Sequence, residues 1–240
     1  MTIAALLAIG GVAAIAGAVL LLRSIGPRYR IGRLLSSTPE TTIDDAIATA
    51  RAAEPRYVRV AGRISSDEEF PDDQNRPLVY RRTRLQVRMA DGEWISIVDE
   101  REAVPFGVET RQSFIAVDDA ELGDGLVVIP RTSVGKVSDL PADLAAQLPP
   151  GTAADADARL TIEQLSAVEH ATVAGQPLLR EAGPQMSAGM GRPLIVTVLD
   201  QAAAMRVLAS NARGRVVVAT VALSAGLGLL AAAVVALLLG

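Results

Sequence analysis

The sequence predicts a membrane-anchored α+β fold, a β-rich central domain flanked by two transmembrane helices. Three observations predict it. Ile3–Leu22 and Val216–Leu239 are apolar runs without a charge, and at about 1.5 Å of rise per residue each can cross a hydrocarbon core of about 30 Å. Every charged side chain of the 240 residues lies between Arg23 and Arg215. Between the runs, apolar residues recur at alternate positions over several stretches, the period of half-buried strands.

The span between the apolar runs, roughly 190 residues, is enough for one sizeable core or two small ones. The formal net charge is −4, so charge balance gives no argument for a nucleic-acid partner. There is no cysteine, which excludes disulfides, thiol nucleophiles, zinc–thiolate sites and iron–sulfur clusters. Lys136 is the sole lysine among 23 basic residues.

Residues 1–24 read as the first transmembrane helix. A signal peptide would carry a basic region ahead of a shorter apolar run, and this segment has neither feature. Its basic residues follow it, at Arg23, Arg28, Arg30 and Arg33. Those of the second run (216–239) precede it, at Arg206, Arg213 and Arg215. Basic residues near span ends stay on the cytoplasmic side. The expectation is a two-pass protein with a cytoplasmic central domain and both termini outside. Ala13 and Gly17 are spaced for close helix approach, as are Ser224 and Gly228. Ala- and Gly-rich composition alone produces the same spacing.

Gly26-Pro27 is expected to end or kink the first helix. Residues 25–56 read as a juxtamembrane segment with a short amphipathic helix from Pro39 to about Ala53, its apolar face Ile43, Ala46, Ile47 and Ala50. Residues 57–199 read as the β-rich domain. Its strands are Tyr57–Ile64, then Pro77–Met89 with the return strand Glu93–Val98 across an Asp91-Gly92 turn. Ser113–Val117, Leu126–Ile129, Val168–Leu179 and Leu194–Val198 follow, with a turning segment at Val104-Pro105-Phe106. Pro141–Asp157 reads as a mobile excursion and Gly183–Gly191 as a glycine-rich turn. Asp200 can cap a helix over residues 200–215 that leads into the second span. Val60-Ala61-Gly62 and Val173-Ala174-Gly175 echo one another, as two equivalent β units would.

Few residues suggest chemistry. His170, the single histidine, lies in an alternating strand with no evident base or acid partner. Asp67, Glu68, Glu69, Asp72 and Asp73 form an acidic loop, and Asp118, Asp119, Glu121 and Asp124 a second. Both lack the spacing of a calcium loop. Gly189-Met190-Gly191 lacks the rest of a phosphate loop. Arg82, Arg84 and Arg88 share one face of a strand, with Arg81 on the other. That stripe can meet anionic lipid headgroups or a partner, or it can pair with the acidic loops.

The order of pieces resembles the membrane-flanked domain of the GIDE family, also called the "beside a membrane" (BAM) domain. The resemblance rests on Ser37-Thr38-Pro39, Val58-Arg59-Val60-Ala61-Gly62, Pro77-Leu78-Val79-Tyr80-Arg81-Arg82, Trp94 and Val104-Pro105-Phe106. It continues through Val173-Ala174-Gly175, Arg192-Pro193-Leu194-Ile195-Val196 and the helix entering the second span. Eukaryotic members are mitochondrial membrane-anchored RING E3 ubiquitin ligases. The resemblance therefore implies a component of a ubiquitin-like E3 ligase system, but the zinc-binding RING finger needs cysteines that this sequence lacks. In those members the central domain faces the intermembrane space, whereas the arginine flanks here point to the cytoplasm.

The leading expectation is a non-catalytic, membrane-anchored interaction or scaffold domain without cofactor or metal. Its partners would be membrane lipids and a further membrane protein or a second copy, with no nucleic acid. The ligase-system component is the alternative.

Overall fold

The computed structural model describes residues 2–89, 92–210 and 213–239, and the chain divides into two units, 1–37 with 201–240, and 38–200.

The terminal unit is helical. Helix α1 (Thr2–Ser37) runs on through Gly26-Pro27, so of the two expectations the pair does not end the helix; a proline removes one backbone hydrogen bond, and the helix continues across that loss. The C-terminal part of the same unit holds two further helices, Gln201–Ser210 and Arg213–Leu239. The long helices pack antiparallel. A Cβ on Gly226 would lie 2.8 Å from Ile15 Cγ1 and 2.9 Å from the Gly11 carbonyl, and Gly10 approaches Leu229. Gly11 and Gly226 are thus the close-approach pair. Gly17 and Gly228, which carry the expected small-residue spacing, have open space where a Cβ would stand, with nothing within 4 Å. Gly32 is close to Met205 and Leu208.

The central unit is α+β. Helix α2 (Ile43–Arg51) starts later than the spacing predicts, because Thr42 is its N-cap and accepts a hydrogen bond from the Asp45 N–H at 3.1 Å. The segment before it is extended and pairs backbone with Arg59. Ile43 and Ala46 join the main core of this unit, so α2 is part of the central unit rather than a juxtamembrane helix.

Five strands close a barrel. β1 (Val58–Ser65) pairs antiparallel with β10 (His170–Arg180) and with β5 (Phe106–Glu109). β5 pairs with β6 (Phe114–Val117), which runs parallel to β11 (Gly183–Ser187), and β11 returns to β10. Counted along the chain as barrel strands one to five, the circuit is 1-2-3-5-4-1, an OB-type connectivity. β7 (Leu126–Val127) and β12 (Ile195–Thr197) extend it beside β10. Val60, Ile64, Val108, Ile115, Val173 and Met186 fill the interior. Helix α2 contacts β1, β6, β10 and β11, and a helix touching four of five barrel strands lies across one end. Two glycines allow the closure: a Cβ on Gly62 would sit 2.5 Å from the Glu109 carbonyl oxygen, and one on Gly175 2.8 Å from that of Ser187.

The second sheet is built from two insertions in that circuit. One lies between barrel strands one and two: β2 (Phe70–Pro71), β3 (Pro77–Arg88) and β4 (Trp94–Ala103). The other lies between strands three and four: β8 (Arg131–Lys136) and β9 (Asp157–Ser166). β3 is central, flanked by β4 and β9, with β8 beyond β9. The expected Asp91-Gly92 turn lies partly outside the described residues; Gly92 itself has φ 87° and its N–H bonds to the Met89 carbonyl. Leu85, Val87, Val98, Val137, Leu144 and Ala158 form a second core.

That core corrects the expectation of a mobile Pro141–Asp157. The segment carries the short helix α3 (Ala142–Ala145), and Leu140, Leu144 and Leu148 pack into the sheet. The Gly183–Gly191 turn is also corrected, since β11 occupies its first half. The tight turn is confined to Gly189–Arg192, with Met190 at φ 53° and Gly191 at 66°. The echoing Val-Ala-Gly segments are neighbours in one barrel, Val60 opposite Val173, not two separate units.

The remaining helices, α4 (Gln201–Ser210) and α5 (Arg213–Leu239), complete the chain.

Candidate functional site

The polar face of β3 carries three arginines and a set of ion pairs. Strand alternation puts Arg82, Arg84, Gln86 and Arg88 on that side. Register brings Arg84 opposite Asp99 of β4, and Arg82 opposite Glu163 of β9. The guanidinium of Arg82 donates from Nε and Nη2 to the two carboxylate oxygens of Asp99, at 2.7 and 2.8 Å, and from Nη1 to Asp124 at 2.9 Å. Its side chain is 9% exposed. Arg84 donates to Glu163 at 2.8 Å. Arg88, half exposed, lies 3.7 Å from Asp157, whose other oxygen takes the Lys136 ammonium at 2.6 Å.

The electrostatics follow the geometry. Hydrogen bonds from Arg82 hold the Asp99 and Asp124 carboxyls below the usual range, and the same bonds, Asp99 first, hold the Arg82 guanidinium more firmly protonated. Burial raises the Tyr80 phenol on the same strand. Its hydroxyl is buried without a hydrogen-bond partner.

Of the two readings of the stripe, headgroup or partner contact and pairing with carboxylates, the structure shows pairing at Arg82 and Arg84. Arg82 and Arg84 are held by carboxylates from β4, β9 and the second acidic loop, leaving Arg88 the most accessible. Arg81, on the opposite side, bonds Glu102 at 2.5 Å and stacks over Phe70. A contact that sequence reasoning missed is Arg159 over the Trp94 ring, 4.3 Å from its centroid. The two residues are distant in the chain, and only the β4–β3–β9 register brings them together.

The other candidates disperse. Asp72 turns inward and accepts from the N–H groups of Gln74 and Arg76 at 2.8 Å and from Arg76 Nε at 2.7 Å. The Arg76 backbone bond is the largest influence, and the Asp72 carboxyl is lowered to about 2. Asp118 accepts from Ser187, while Asp124 belongs to Arg82. Among the described residues no three carboxylates or histidines gather as a cation site. His170 lies on the rim of an open concavity of about 680 Å³ with Arg63, Glu109, Thr172 and Thr197. It stands opposite Arg63 in register. The groove combines a small-residue floor with charged walls, and His170 makes no hydrogen bond to a nucleophile or acid there.

Comparison with protein-family models, curated proteins and solved structures returns no match.

Proposed function

We propose that the chain is a two-pass membrane protein whose central unit is a non-catalytic interaction or scaffold domain on the cytoplasmic side, both termini lying outside. The observation that carries this reading is the apolar surface of the terminal unit. Leu6, Ile9, Leu20, Val217, Val221 and Leu237 are 62–70% exposed. At about 1.5–3 kcal/mol per large apolar side chain, leaving these six in water forfeits on the order of 10 kcal/mol, as much as a whole domain's stability. Runs of 20 and 22 residues, Ala4–Arg23 and Val216–Leu237, are long and apolar enough to span.

An interaction role is supported by strand β8. All six of its residues are exposed, it pairs with β9 on one side, and Val134 is 66% exposed. Such an edge offers backbone donors and acceptors to a partner strand. The ion pairs on the β3 face favour binding through shape and edge over lipid contact through Arg82 and Arg84. A ligase-system role has only the GIDE-like order of sequence motifs behind it.

The test is made in native membranes. Alkaline carbonate should leave the chain in the membrane pellet. A photoreactive amino acid replacing Thr132 on β8 should give a discrete adduct. Release by carbonate would overturn the anchor. A retained chain with no adduct at Thr132 or at neighbouring Val134 would overturn the edge-mediated interaction.

A further inference from the structure

The charge of this chain is segregated between its two units. Residues 1–37 and 201–240 hold seven of the 23 basic residues and none of the 27 acidic ones, which makes that unit +7 and the central unit −11. All seven are arginines, and each falls within about fifteen residues of a span.

The fold of the terminal unit concentrates them. α1 continues 14 residues past Arg23 to Ser37, about 20 Å at 1.5 Å per residue. α4 lies against this extension, with Gly32 facing Met205. Arg33 and Arg206 each follow a residue of that contact, so they stand at one level on adjacent helices. Arg23, Arg30, Arg33 and Arg206 are exposed. Tyr29, 63% exposed among them, is the residue type that settles at the headgroup level. The unit itself contains no acidic side chain.

We infer that this arginine-bearing helix pair, α4 and the extension of α1, is a binding site for anionic phospholipid headgroups. The inference rests on the membrane-spanning reading proposed above. Guanidinium forks match phosphate geometry, and a basic cluster beside a span draws acidic lipid to it. The same charge balance disfavours the central unit as the lipid-binding surface: its −11 is repelled by an anionic leaflet, and two of its three β3 stripe arginines are already paired.

The experiment uses the full chain reconstituted in nanodiscs of equimolar phosphatidylglycerol and phosphatidylcholine. Lipids that stay bound on gentle release are counted by native mass spectrometry. The wild-type chain should retain phosphatidylglycerol over phosphatidylcholine by about tenfold at low salt, falling towards parity in 1 M salt. The triple variant Arg23→Gln, Arg33→Gln and Arg206→Gln should bring the ratio near parity. The control pair Arg88→Gln with Arg131→Gln, on the central unit, should leave it unchanged. Parity in the wild-type chain, or loss of selectivity in the control alone, would overturn the site. A chain that fails to enter nanodiscs at all would instead sink the membrane-spanning reading, so the two failures are distinct.

Discussion

At the scale of single residues, Arg82 ties the first insertion to the loop that follows β6. It lies on β3 and holds Asp99 on β4 and Asp124 in the loop after β6. Removing the guanidinium leaves its carboxylates with like-charged company and opens a gap in a buried position. Arg82→Ala should cost about 2–3 kcal/mol of stability, the range for charge-assisted bonds at a mostly buried site. Arg82→Lys should recover only part of it, since an ammonium cannot grip Asp99 with two parallel bonds. Chemical denaturation of the detergent-solubilised chain measures both, and equal stability of all three proteins would refute the pairing. Asp72 supplies a pH dependence. Its carboxyl is lowered from 3.8 to about 2 in the fold, so its stabilisation is complete above about pH 4 and is lost as pH falls towards 2. Asp72→Asn should flatten the decline in thermal midpoint between pH 4 and pH 2. An unchanged decline would place the acid sensitivity elsewhere.

At the scale of elements, the sequence was most legible where one period ran long. Pro77–Met89 predicts β3 within a residue, because alternation over thirteen positions fixes which side chains share a face, and Tyr57–Ile64 does the same for β1. Legibility failed where tertiary context overrode a local signal. Asp157–Ser166 alternates Ala158, Leu160 and Ile162 with Arg159, Thr161 and Glu163, a strand period hidden by its place beside a loop-like stretch, and it becomes β9 with β3 pairing it from one side and β8 from the other. Arg131–Lys136 has little apolar content and exists as a strand only through β9. Pro141–Asp157 has turn composition, yet Leu144, Leu148 and Ala156 pin it to the second core. For the candidate site, Arg82, Arg84 and Arg88 were visible as a set, but their partners were not. Asp99, Glu163 and Asp157 come from two other strands, and nothing in a linear sequence fixes how those strands align. The helix pair shows the same limit, since small residues at 13, 17, 224 and 228 advertise a contact that Gly11 and Gly226 make.

At the scale of the whole molecule, the two units carry opposite charge, and that polarity has a direction in a membrane. Arginines near span ends resist transfer across the bilayer, whereas acidic residues contribute little to orientation. All seven flanking arginines lie on the inner sides of the two spans, none on the outer tails. The antiparallel packing of α1 against α5 puts both tails at one end of the helix pair and both arginine clusters at the other. On the two-pass reading proposed above, both flanks then favour the same side, with no conflict between the two spans. The turn at Arg180–Gly183 joins β10 to β11, and Arg180, Glu181 and Ala182 are exposed, which makes Arg180 a suitable trypsin site. Trypsin added to intact cells should leave the chain whole, and after permeabilisation it should cut at this turn. Replacing Arg23, Arg28, Arg30 and Arg33 together by Gln should weaken the bias and yield a mixed population, part of it cleaved from outside. Cleavage of the unmodified chain at Arg180 in intact cells would overturn the proposed orientation and put the acidic unit on the far side of the membrane.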